Sequence, residues 1–134
     1  MSKSEADGHH HLTFDGWFRD EFRRTGGFTA LVILVGIGEL SVTPLRSTYF
    51  HVIGDEIGWP ETAELLAGSG VEWDGVLFSA IHDEKHGGPV ADILARSALS
   101  DLALRLEEDR LLLNRNHFFD RWGRRMQVEE VSTQ

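Results

Sequence analysis

The chain has 134 residues, of which 41% are hydrophobic and 26% charged, with 14 Gly, 3 Pro and no Cys, the composition of one globular domain that buries a core without disulfides. The lack of cysteine excludes disulfide frameworks, Cys-ligated zinc, iron–sulfur clusters and thiol nucleophiles. A formal charge of −9 opposes capture of nucleic-acid backbones and of anionic membrane surfaces, so neither is an expected partner.

The charge is unevenly spread: residues 51–109 hold 13 acidic and 3 basic side chains, a net of −10, whereas residues 110–134 hold 5 basic and 3 acidic, a net of +2. Excess acid serves solubility first, and it also suits a basic protein partner. Residues 1–12 read as a flexible tail and 13–134 as one globular domain. The tail carries His9, His10 and His11, to which no native role is assigned. It has no apolar signal core, and the longest apolar run, Phe28 to Ile37, is about half of what a membrane-spanning helix needs, so the expected location is the cytoplasm.

In chain order, Phe14, Trp17, Phe18 and Phe22 fall on one helical stripe, with charged residues opposite and Thr25-Gly26-Gly27 as the stop. Phe28 to Gly36 is continuous, β-branched and bounded by glycine, the pattern of a central strand buried on both faces. Gly36 and Gly38 form a GxG after it, but Thr43-Pro44 stops the helix a dinucleotide loop needs, so a turn or bulge is the expected reading. Arg46 to Ile53 is a second strand, with Thr48, Phe50 and Val52 on one face and Tyr49 and His51 on the other. A short helix follows Pro60 and ends at Gly68. A third strand spans Val76 to Ile81, and the longest helix runs from Pro89 to about Glu108 with Val90, Ile93, Leu94, Ala98, Leu102 and Leu106 as its core stripe. Residues 111–122 fit helix and strand equally, and 125–131 alternates as a last strand. The order predicts an α+β two-layer sandwich, helices on a mixed sheet of three to five strands, with a small doubly wound α/β sheet as the alternative.

Candidate chemistry gathers in the loop His82-Asp83-Glu84-Lys85-His86, between the third strand and the long helix. Imidazoles and carboxylates are ligand types for zinc, manganese or iron(II), which makes His82, Glu84 and His86 candidate metal ligands, with Asp83 behind them and His51 from the neighbouring strand. The HExxH signature is not matched, because Asp83 follows the first His. Gly87 and Gly88 offer backbone N–H groups that suit an anion only if a cation bridges Asp83 and Glu84. His51, His82, His86 and His117 are acid–base candidates by type, with Glu39, Asp55 and Glu56 as possible partners. Ser79 has no nucleophile elbow around it, and His117 beside Phe118 and Phe119 reads as a packed histidine. Arg121-Trp122-Gly123-Arg124-Arg125 suits pairing with the acidic middle, within the chain or across a dimer.

Four Trp and eight Phe point to a homodimer interface. The leading expectation is therefore a small, acidic, non-catalytic binding, regulatory or assembly module, homodimeric and without a cofactor. Two alternatives stand beside it. One is a metal-dependent, hydrolase-like enzyme using a divalent ion such as zinc at the His82–His86 loop. The other is a metal-free small-molecule domain with a pocket lined by Tyr49, Trp59, Trp73 and Phe78.

Overall fold

The computed structural model describes residues 13–39, 41–54 and 56–128. The predicted tail with His9–His11, residue Asp55 and the end of the last predicted strand lie outside the described residues.

Helix α1 spans Phe14–Thr25. Thr13 caps it, its hydroxyl accepting from the Gly16 N–H at 3.3 Å, and Gly26 closes it in the left-handed region with φ 73°, donating its N–H to the Phe22 carbonyl. Only glycine adopts that conformation without cost, which is why the helix stops there. Strand β1, Phe28–Ile37, follows and pairs antiparallel with both β2, Val42–Val52, and β3, Gly75–Ile81. Strand β4, His117–Phe119, pairs antiparallel with β3, so the sheet order is β2-β1-β3-β4. Helix α2, Trp59–Ala67, lies between β2 and β3 in sequence, and α3, Asp92–Glu108, is followed by a 3-10 helix over Arg110–Arg115.

The α+β class is observed, with four strands in the expected range. Pairing is antiparallel throughout, which excludes the doubly wound alternative, because that topology requires parallel crossovers. The two sides of β1 feed separate clusters. Ala30, Val32 and Leu34 pack with Val76 and Phe78 of β3 against Phe14, Trp17 and Phe18 of α1 and Leu66 of α2. Leu31, Ile33, Val35 and Leu77 face Leu102 and Leu106 of α3, Leu112 and Leu113 of the 3-10 helix, and Phe118. Helices thus cover both faces, as the two-sided burial of β1 demands.

Three boundaries differ from the sequence pattern. β2 begins at Val42 and contains Pro44, which is tolerated because β2 is the edge of the sheet; the register shifts at Leu34/Val35, opposite this stretch. α3 begins at Asp92, not Pro89, because the Val90 N–H is already held by the Thr29 hydroxyl at 3.0 Å. Its buried line is Ala95, Leu102 and Leu106, while Ile93 and Leu94 are exposed. Asp92 occupies that line one turn before Ala95 and bonds His51 there, which turns the neighbouring apolar pair outward. The ambiguous stretch 111–122 divides into the 3-10 helix, β4 and a tight turn. After it, the strand pairing of Arg125 among the described residues is an isolated bridge to Phe119. No helix among the described residues is long and apolar enough to cross a membrane.

Candidate functional site

The loop at 82–89 is organised by its own polar atoms. Asp83 Oδ1 accepts from the Lys85 and His86 N–H groups at 2.9 and 3.1 Å, and its backbone closes onto Gly87 and Gly88. The two loop hydrogen bonds lower the Asp83 carboxyl from its ordinary value. Glu84 is exposed, and His86 reaches only Asp83, with Nδ1 3.5 Å from Oδ2. Among the described residues no three His, Asp or Glu side chains are grouped to hold an ion, and His51 lies instead in a separate network. The Gly87 N–H donates to the Asp83 carbonyl, so it is not turned toward an external anion.

That second network joins three elements. Thr29 of β1 is fully buried, and its hydroxyl lies 2.9 Å from His51 Nδ1, while His51 Nε2 lies 2.8 Å from Asp92 Oδ1. The Asp92 carboxylate only accepts, so Nε2 carries the proton that faces it, and Nδ1 is held by the Thr29 hydroxyl, which also accepts from the Val90 N–H. Both ring nitrogens are occupied and the hydroxyl is sealed from solvent, so this Thr–His–Asp chain bolts β1, β2 and α3 together and offers no nucleophile. Asp55 is outside the described residues, and the exposed Glu39 and Glu56 play no part in it.

The His51 hydrogen bond is the main reason the Asp92 carboxyl sits below its ordinary value, with Tyr49 and Arg96 adding to it. A depressed folded-state pKa contributes stability that is complete above the unfolded carboxylate value of about 4 and is lost as pH falls through the lower folded value. Asp92→Asn is therefore expected to be less stable than the parent at pH 7, with the gap in urea midpoint narrowing as pH falls below the unfolded value of about 4. A gap that stays constant from pH 7 to pH 2.5 would show that the Asp92 charge contributes nothing.

The four aromatics expected to share a pocket do not. Trp73 and Phe78 are buried in the α1-side core and Trp59 packs at its edge, whereas Tyr49 lies on the opposite side against the α3 cluster. Ser79 lies within β3 opposite Leu31.

A concavity lies elsewhere. A groove of about 750 Å³ runs between α1 and the segments on either side of β4, lined by Trp17, Glu21, Arg24, Asn114, His117, Arg125 and their neighbours. His117 stacks on Trp17 with ring centroids 4.4 Å apart, and its Nδ1 lies 3.0 Å from an Arg125 guanidinium nitrogen. Arginine only donates, so Nδ1 is the acceptor in this contact. Arg125 also lies over the Phe119 ring at 4.9 Å, and its burial pulls the guanidinium below its ordinary value. Glu21, itself buried, pairs with Arg24 at 2.6 Å. Asn114 holds the far wall by exchanging two hydrogen bonds with the Val128 backbone. The Trp17 indole N–H is buried with no hydrogen-bond partner among the described residues. Such an orphan costs roughly 1–3 kcal/mol until an acceptor reaches it.

Of these residues the sequence pattern singled out His117 and Arg125. Trp17, Glu21 and Arg24 share the spacing of successive helical turns, a signal that they face one way; the C-terminal wall that meets them is brought there by β4 pairing, which local spacing does not encode. Comparison of the chain with protein-family models, with curated proteins and with solved structures finds no match in any of the three.

Proposed function

We propose that this chain is a small non-catalytic binding module, working as a homodimer, whose ligand sits in the groove between α1 and the C-terminal segment. The observation that carries this reading is the groove itself. Its volume of about 750 Å³ falls within the ~300–1,000 Å³ of small-molecule sites, and its lining combines an indole–imidazole stack, apolar Leu113 and Met126, and a few hydrogen-bonding groups that fix orientation. The Trp17 N–H adds a donor on the groove's own wall residue. Against catalysis stands the occupancy of the histidines that geometry has oriented. His51 has both nitrogens bonded, and His117 has its acceptor nitrogen turned to Arg125.

A fragment library screened by nitrogen–proton correlation spectroscopy tests this, since four tryptophans give four resolvable indole signals. Fragments are expected to move the Trp17 indole signal, and to lose that effect in Gln127→Trp, which fills the groove from an exposed rim position. A library that leaves the Trp17 signal unmoved, or moves it equally in the filled variant, would sink the reading.

A further inference from the structure

The turn after β4 presents an exposed tryptophan on a backbone with no freedom left. Asp120 holds it: its carboxylate accepts from the Trp122 and Arg124 N–H groups at 2.8 and 3.0 Å and from Arg124 Nε at 2.9 Å, and its backbone bonds Gly123 and Arg124. The core grips the other side, with Phe14 N–H donating to the Gly123 carbonyl at 2.8 Å and Trp59 Nε1 to the Arg121 carbonyl at 3.2 Å. Trp122 is nonetheless 67% exposed, with the Arg121 and Arg124 guanidinium carbons 5.8 and 5.3 Å from its ring centre. A large apolar side chain held rigid and flanked by cations is the composition of an interface anchor, since its ordering cost has been met in advance.

The matching surface lies on the same side of the sheet. A cleft of about 240 Å³ opens between α2 and the β1–β2 hairpin, lined by Val32, Leu34, Leu65, Leu66, Ser47 and Thr48. Leu65 at its rim is 63% exposed. The anchor and the cleft mark the two ends of one helix. Gly123 packs against Trp59, the first residue of α2, and Leu65 and Leu66 stand near its last, about 10 Å further along at 1.5 Å per residue. Exposed Glu61 and Glu64 lie between.

We propose that a second copy of this chain docks here about a two-fold axis crossing the middle of α2, each Trp122 entering the other copy's α2–β2 cleft. Antiparallel α2 helices exchange their ends, so the arrangement is self-complementary, as a two-fold interface must be. It also brings Arg121 of each copy toward Glu64 of the other. Charge favours this occupant: the turn carries three Arg and one Asp over residues 120–125, and the exposed face of α2 that it would meet carries Glu61 and Glu64 and no basic residue.

The proposal rests on the homodimer part of the functional reading, and sedimentation of the full chain over a concentration series separates the two. The parent chain is expected to dimerise, and Trp122→Ala and Leu65→Arg are each expected to weaken the dimer roughly 30-fold or more while circular dichroism stays native. Arg121→Glu alone should weaken it, and Arg121→Glu with Glu64→Arg should restore it. A dimer indifferent to Trp122→Ala overturns this surface and leaves the homodimer standing. A dimer lost with Trp122→Ala but not with Leu65→Arg overturns the cleft assignment. A parent chain monomeric at 1 mM overturns the proposal and the homodimer together; quenching of its Trp122 fluorescence by poly-glutamate would then assign the turn to a foreign acidic partner.

Discussion

Replacing Phe14 with alanine is expected to cost about 4 kcal/mol of stability, the upper range for deleting a buried aromatic ring. Phe14 is fully buried, and its ring lies 4.8–5.7 Å from those of Trp17, Phe18, Trp59, Phe78 and Phe119. Those partners come from α1, α2, β3 and β4, so the cavity is walled by four elements and cannot collapse by shifting one of them. A chain of this size has roughly 5–15 kcal/mol of net stability, which makes the loss a large share of the whole. Urea unfolding followed by tryptophan fluorescence measures it. Phe14→Leu, which keeps most of the volume, should cost about 1 kcal/mol. Equal losses for the two variants would mean that the cavity is not what sets the cost.

The second large effect is expected at Gly123, where alanine should cost about 3 kcal/mol by adding left-handed backbone strain to overpacking. Its φ is +79°, and a Cβ built there would stand 2.7 Å from Trp59 Cγ and 2.8 Å from Cδ2. Trp59 cannot retreat without giving up its indole bond to Arg121, because the same ring is held from both sides. Gly26→Ala serves as the control: its φ is similar at +73°, but nothing lies within 4 Å of the added carbon. It should lose only the backbone part, about 1 kcal/mol. If the two variants fall equally in urea midpoint, the Trp59 contact is not the cause.

How much of this was legible in the sequence depends on whether the deciding interaction is local. The α1 stripe, the two-sided burial of β1 and the alternation of Thr48, Tyr49, Phe50, His51 and Val52 follow from spacing alone, and the structure has them. Pro44 reads as a stop, yet strand geometry continues through it because the sheet edge asks nothing of its missing N–H. The outward turn of Ile93 and Leu94 was not legible, since it depends on a hydrogen bond between Asp92 and a histidine on another strand. The groove was half legible. His117 and Arg125 were singled out by type, but the Trp17 wall opposite them is brought near only by pairing between β3 and β4. The loop at 82–89, dense in ligand-type side chains, spends its Asp83 on holding itself closed.

The bond from Phe14 N–H to the Gly123 carbonyl ties the start of the described chain to its end. During synthesis α1 and the β1–β2 hairpin emerge early, but the ring cluster around Phe14 waits for Phe119 and the Asp120 turn, among the last described residues to leave the ribosome. Until then the ring cluster, already packed on Phe28 and Phe78, lacks its Phe119 side. A chain stalled just before residue 117 should therefore expose the Phe119 side of the cluster, and bind chaperones there more than one released after residue 128 does.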